Sequence, residues 1–205
     1  MPFSIDLHIH TTFSGDSTVA PEEAIERALA LGLDGIAFTE HNSFAASDPV
    51  ERLKEKYGGR ILILRGVEYS SSDGHILLFG IDERVVSALG RYAPASEVIR
   101  AAREANGAAI AAHPFREWAL FRSDLSTFDF TAIEAFNGHN NDEENRQALV
   151  TAESLGMPTT GGSDSHSPEE VGACCTVFPG PVTEDNFIET LSLGGYCGMY
   201  RKQLP

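Results

Sequence analysis

The 205-residue sequence predicts an α/β fold in which a mainly parallel sheet closes into a barrel, with the helices outside. Three observations carry this expectation. Short β-rich runs alternate with helical patterns along nearly the whole chain. Polar motifs fall at the C-terminal ends of many separate strands, where barrel enzymes assemble their sites. No glycine-rich phosphate loop of the Rossmann or Walker kind is present to favour an open doubly wound sheet.

In chain order, "FSIDLHI" reads as a strand and "PEEAIERALALG" as a helix. Pro21 sits near the first helical turn, where its missing N–H costs nothing, and Glu22 and Glu23 complement the positive end of the helix dipole. "DGIAFTE", the helical "DPVERLKEKYGG" and the strand "RILILRGVE" continue the βα alternation. Then come "HILLFGI", a helix over 96–106, "GAAIAAH", "FTAIEAF", a helix over 140–155, "MPTTGGSD", "CCTVF" and "TEDNFIETLSLG". Connections are short, with no linker, low-complexity segment or clear internal repeat, and the length fits a single domain over 1–205.

Thirty acidic residues against 15 basic ones give a formal charge of −15, with no Lys/Arg-rich run. Such a surface repels bulk nucleic acid and anionic membranes, although a local metal-neutralised pocket could still admit a phosphate. No stretch reaches the roughly 18 apolar residues of a membrane helix, and "MPFSIDLHIH" lacks the basic start and apolar run of a signal peptide, so a cytoplasmic location is expected. The three cysteines, with Cys174 and Cys175 adjacent, show neither a disulfide frame nor zinc-knuckle spacing. They read as small buried residues in a reducing compartment.

Six of the seven histidines sit in short polar motifs at the ends or starts of these strands: His8 and His10 in "DLHIH", His41 in "FTEHN", His75 in "SSDGHILLF", His113 in "AAHPF" and His166 in "GGSDSH". Residues i and i+2 of a strand share a face, so His8 and His10 can bind one ion together, and Asp164 and His166 form the same kind of pair. A single strand-end histidine is more often a hydrogen-bonded structural residue than a ligand. Here the histidines recur at one end of successive strands together with Asp16, Glu68 and Asp164, which points to zinc, manganese or iron. Glu68 follows the very apolar "ILIL", where a buried carboxylate needs a cation or a donor; the alternative is a side chain emerging into water. His139 and Glu40 stay outside the set, the first as a surface, capping or substrate-contacting residue, the second as a support for its neighbour His41.

Taken in order, "DLHIHTTFSGDS", "GLDGIAFTEHN", "GVEYS", "GHILLFG", "AAHPFR", "IEAFNG" and "GGSDSHSPEEVG" resemble the PHP superfamily, the polymerase and histidinol phosphatase group of metal-dependent phosphoesterases. The resemblance covers nearly the whole chain and implies a distorted seven-stranded βα barrel with two to three divalent ions, Zn, Mn or Fe. It implies His8, His10, Glu68 and Asp164 around a first metal, Glu68 bridging to a second completed by His75 and His113, and Asp16, His41 and His166 around a third. Asp16 stands where some members have histidine, and an oxygen ligand there favours a harder ion such as manganese.

The implied activity is hydrolysis of a phosphomonoester or phosphodiester of a small or nucleotide-like molecule, with a hydroxide bridging two ions as nucleophile. Glu68, as the bridging ligand, and Arg116, whose fork matches two phosphate oxygens, are the expected catalytic residues. The alternative for Arg116 is a surface arginine paired with a carboxylate. The long helical insertion of the family's nucleotide bisphosphate phosphatases is missing, so their substrate does not carry over. Two rival readings are an amidohydrolase cutting a C–N or ester bond, which also opens with HxH, and a metal-binding accessory domain without turnover. The short chain with its extra His41 and His166 opposes the first, and the complete ligand set opposes the second. "REWALFRSDLS" is the main irregular segment that could cover a pocket; Trp118, Phe121 and Phe115 in it either stack on a leaving group or pack the barrel rim. Oligomeric state is left open.

Overall fold

A computed structural model describes residues 2–203. Its strands β1 (Phe3–Ile9), β2 (Gly35–His41), β3 (Leu62–Ser70), β4 (His75–Phe79), β5 (Ala108–Ala111), β6 (Ala132–Asn137), β7 (Thr159–Gly162), β8 (Cys174–Phe178) and β9 (Cys197–Tyr200) form one sheet in the order β7-β6-β5-β4-β3-β2-β1-β8-β9. Beyond β7 the chain returns to β1. Asp164 N donates to His8 O at 2.6 Å, His10 N donates to Ser165 O at 3.2 Å, and Ile9 bridges Ser165 in parallel. Seven strands therefore make a distorted closed ring, and the β8–β9 hairpin extends the sheet from β1. The described strands number nine, two more than the family resemblance implies.

The sheet is less parallel than the βα alternation suggests. β1–β2–β3 and β5–β6–β7 are parallel, whereas β4 is antiparallel to both neighbours and β8 and β9 are antiparallel to theirs. The cause is connection length. Only Ser71–Gly74 joins β3 to β4, closed by Ser71 N donating to Gly74 O, and four residues cannot cross over the sheet.

The helices α1 (Pro21–Ala30), α2 (Ser47–Tyr57), α3 (Glu83–Leu89), α4 (Ala95–Glu104), α5 (Asp142–Leu155) and α6 (Phe187–Leu193) connect the strands. α4 and α5 start and stop within about two residues of the sequence expectation. α5 begins at a capping box, with Asn141 and Glu144 each closing on the other's backbone N–H, and ends on Gly156 in the left-handed conformation. Neither α3 nor β9 stands out in the sequence, since seven and four residues are too short for a clear period. No helix among the described residues is long and apolar enough to cross a membrane.

Apart from the edge strand β9, the strands are largely buried on both faces. In β4, Ile76 and Leu78 join the core under α3, α4 and α5, while Leu77 and Phe79 join a second core with Phe178, Phe187 and Leu191. α1 and α2 cover a third, built on Ile36, Phe38 and Ile63. Two-sided burial explains the continuous apolar runs seen in the sequence. Cys174 and Cys175 are buried as expected; Cys197 is exposed, because it opens the edge strand β9.

Candidate metal centre

The site lies where the parallel strands end. His8 stands near the end of β1 and His10 just past it, His41 closes β2, and Glu68 sits near the end of β3. His75 opens β4, yet because β4 runs backwards its first residue pairs with Ser70 and arrives at the same end. His113 follows β5, and Asp164 and His166 follow β7.

All nine candidate ligands converge. His8 Nε2 and His10 Nε2 are 3.1 Å apart and lie 3.3 and 3.2 Å from Asp164 Oδ1. Glu68 Oε1 is 2.9 Å from His75 Nδ1 and 2.8 Å from His113 Nε2, while its Oε2 is 3.3 Å from His10 Nε2 and 2.8 Å from His41 Nδ1. Asp16 Oδ2 is 3.0 Å from His41 Nε2 and 3.5 Å from His166 Nε2. Ligand atoms fall into overlapping groups, His8–His10–Glu68, His8–His113–Asp164, Glu68–His75–His113 and His10–His41–His166, each within 4.8 Å. Glu68 is thus shared between two groups, and the third set gathers around His41 and His166.

Asp164 and His166 do not form a same-face strand pair. β7 ends at Gly162, and Asp164 adopts a left-handed backbone (φ 55°), so its carboxylate meets His8 and His10 while His166 turns toward Asp16 and His41. His113 is left-handed too (φ 29°). Each such conformation costs on the order of 1–3 kcal/mol in a residue with a side chain. Here both are held by backbone bonds, from Asp164 N to His8 O and from His113 N to Glu134 Oε2.

The chemistry of this donor set fits divalent ions. Although Glu68 Oε2 lies near two imidazole nitrogens, neither approach has hydrogen-bond geometry, and this buried oxygen has no donor. Burial alone would raise the Glu68 carboxyl, but the imidazoles of His8, His10, His113 and His41 outweigh it and hold the group well below the usual carboxylate range. For His8 and His10, burial would lower the imidazoles, yet the surrounding carboxylates prevail: His8 is raised well above its ordinary value and His10 to about 9. Without a metal, the carboxylates draw protons onto His8 and His10 instead, whereas burial, with the nearby Arg116, lowers His113 and leaves it a neutral ligand.

Several buried polar residues hold the ligands, and the sequence reading passed over most of them. Glu134, in the middle of β6, accepts from His8 Nδ1, His113 N and Asn137 Nδ2, each at 2.9 Å. Donating from Nδ1 to Glu134 leaves Nε2 of His8 free to face the centre. Asp6 ties β1 to the chain beyond β7, accepting from Ser163 N at 2.8 Å and Gly172 N at 2.9 Å; burial pushes its carboxyl up to about 6 against these bonds. The signal was available for Glu134, a carboxylate inside the apolar "AIEAF", the same criterion that singles out Glu68. Glu40 bonds Thr11 N and the hydroxyls of Thr11 and Ser14, supporting the Asp16 loop.

Arg116 is no surface arginine. It is buried, with Nε donating to Asn140 Oδ1 and one Nη donating to Asn137 Oδ1 and, at 2.6 Å, to Asp164 Oδ2. With Ser70, Trp118, His139 and all the candidate ligands except His8, His10 and His113 it lines a cavity of about 360 Å3 over the centre. His139 pairs with Glu170 at 3.1 Å on this rim. Phe121 is buried among Phe128 and Phe130, and Phe115 packs against the core, so both serve the rim, whereas Trp118 stays exposed.

Fold and site together define an α/β-barrel protein with a cluster of histidines and carboxylates at the strand ends that could hold metal ions. The chain belongs to the PHP domain family, whose model matches residues 6–131, and residues 142–195 match a PHP-associated family. It is 28% identical over 148 residues to an uncharacterised protein of Methanocaldococcus jannaschii, covering 67% of this chain and 83% of that one. It is 30% identical over 115 residues to a histidinol-phosphatase of Lactococcus lactis, covering 49% of this chain but only 39% of the relative. The fold resembles that of PsfC from Pseudomonas syringae, with a TM-score of 0.72 at 23% identity over 97% of this chain and 91% of that one.

Proposed function

We propose that the chain is a metal-dependent phosphoesterase that hydrolyses a small phosphoester, in one domain with one site. The observation that carries this reading is the buried, donorless Glu68 Oε2 amid converging imidazoles, at the base of a cavity that a fixed arginine also lines. Divalent ions, when bound, would neutralise phosphoryl oxygens and acidify water enough to supply a hydroxide nucleophile near neutral pH. His8, His10, Glu68 and Asp164 would hold the first, Glu68, His75 and His113 the second, and Asp16, His41 and His166 the third. Glu68, kept ionised by its histidines, links the first two positions. Glu134 fixes the ring of His8, and Arg116 steadies Asp164 while placing positive charge where a phosphate would enter. The histidinol-phosphatase relative and family membership support this class of reaction.

The test is a panel of phosphomonoesters, phosphodiesters, lactones and N-acyl compounds assayed with manganese or zinc. Metal-dependent phosphate release that Glu68→Gln abolishes is the expected result. Turnover of lactones or amides alone would favour the amidohydrolase reading, and tight metal binding without any turnover would favour an accessory domain.

A further inference from the structure

Trp118 is the only tryptophan of the chain and is 76% exposed. A large apolar side chain left in water forgoes the free energy of burial, so its position calls for a cause. It does not stand on an arbitrary surface. Trp118 lines the cavity over the metal centre and also a second cavity of about 370 Å3, lined by Ser71, Ser72, Asp73 and Leu120. His75 and Trp118 are common to both, so the indole forms part of the wall between them. The Arg116 guanidinium lies 5.0 Å from the ring centroid, and Arg116 is itself locked by Asn137, Asn140 and Asp164. The indole is thereby held on a fixed cation while its remaining surface faces water.

Resting on the phosphoesterase reading, we propose that Trp118 is a specificity-determining residue: the leaving group of the substrate carries a flat aromatic or heteroaromatic ring that stacks on the exposed indole while the phosphate occupies the metal cavity. Asp73 does not impose a charge requirement on that ring, because its carboxylate accepts from Ala95 N and the Ser123 hydroxyl and its charge is offset by Arg122 on the same wall. Ser71 is likewise engaged with Gly74 O, and the exposed Glu117 and Arg122 on this wall carry opposite charges, leaving stacking as the main source of selection.

The metal-loaded protein is tested with two matched pairs. Benzylphosphonate and butylphosphonate resist hydrolysis and report binding alone; benzyl phosphate and butyl phosphate report turnover with leaving groups of similar chemistry. Wild type is expected to bind benzylphosphonate about tenfold more tightly than butylphosphonate, the scale of ring stacking on an aromatic side chain. The emission of the single tryptophan should change on binding. Trp118→Ala should shrink the benzyl-to-butyl ratio, in both Kd and kcat/KM, by about that factor, and Trp118→Phe should keep most of it. A role confined to covering Arg116 would lower both members of each pair together and leave the ratio unchanged, which would overturn the proposal, as would a wild type with no preference. The two levels separate: phosphoester turnover without a ring preference refutes the role of Trp118 alone, whereas a Trp118-dependent binding preference without phosphoester turnover refutes the reaction and leaves the subsite standing.

Discussion

Replacing Glu134 by glutamine exchanges one buried oxygen for an NH2 group and forces a choice. The carboxylate accepts from His8 Nδ1 on Oε1 and from His113 N and Asn137 Nδ2 on Oε2, with no exposure to water. If the new NH2 takes the Oε2 position, it faces two donors and leaves both unsatisfied, at about 1–3 kcal/mol each. If it takes the Oε1 position, only His8 is opposed, and that ring can respond by moving its proton from Nδ1 to Nε2. The second outcome is cheaper, and it places a proton on the atom that faces Asp164 and His10. Glu134→Gln should therefore fold and yet bind its first metal about 10- to 100-fold more weakly, the usual cost of losing a carboxylate behind a ligating histidine. Metal affinity by competition titration, with thermal unfolding as the control and nitrogen NMR shifts of His8, read in the metal-free protein at a pH high enough for the ring to be neutral, as the tautomer readout, tests it. Wild-type affinity, or a His8 whose Nε2 stays unprotonated, would refute the reasoning.

Gly162→Ala should damage the same ligand from the other side, since a Cβ there would lie 2.3 Å from His8 Cβ and 2.7 Å from His8 N. Overpacking of this kind costs about 1–3 kcal/mol, so a lower Tm together with lost metal is expected, and an unchanged Tm and metal content would count against the close approach. Asp16, which is half exposed and touches only His41 and His166 among the ligands, should on mutation to alanine lower metal stoichiometry by one while the other positions stay filled, with partial recovery in excess manganese. Anomalous scattering would decide, and simultaneous loss of all metals, or of none, would make Asp16 a loop residue. Metal uptake should also depend on pH. In the metal-free protein burial opposes the His10 proton but Asp164 and Glu68 raise the ring to about 9, and His8 is raised as well, so a metal must displace both protons, and affinity should climb between pH 6 and 9 by about tenfold per unit for each proton displaced. A flat profile would show that no proton is exchanged.

The sequence by itself determined the class of fold and the identity of the candidate ligands. Strands buried on both faces have to be apolar throughout, so "ILIL" and "HILLF" announce themselves, and ligating side chains have to be histidine or carboxylate, so "DLHIH" and "GGSDSH" do too. The tertiary structure decided direction and partnership. A turn of four residues reverses β4, and only that reversal brings His75 beside Glu68, a matter of connection length and not of the strand's own composition. The left-handed backbone of Asp164 sends Asp164 and His166 to different parts of the centre, and it persists, like that of His113, because a distant group holds it, His8 O for Asp164 and Glu134 for His113. The sequence does not show what Arg116 and Glu134 pair with; burial against partners up to 126 residues away turns one into a brace for Asp164 and the other into the group that sets the ring of His8. Such roles are fixed by which polar atoms are left without water, and that is known only once the chain has closed.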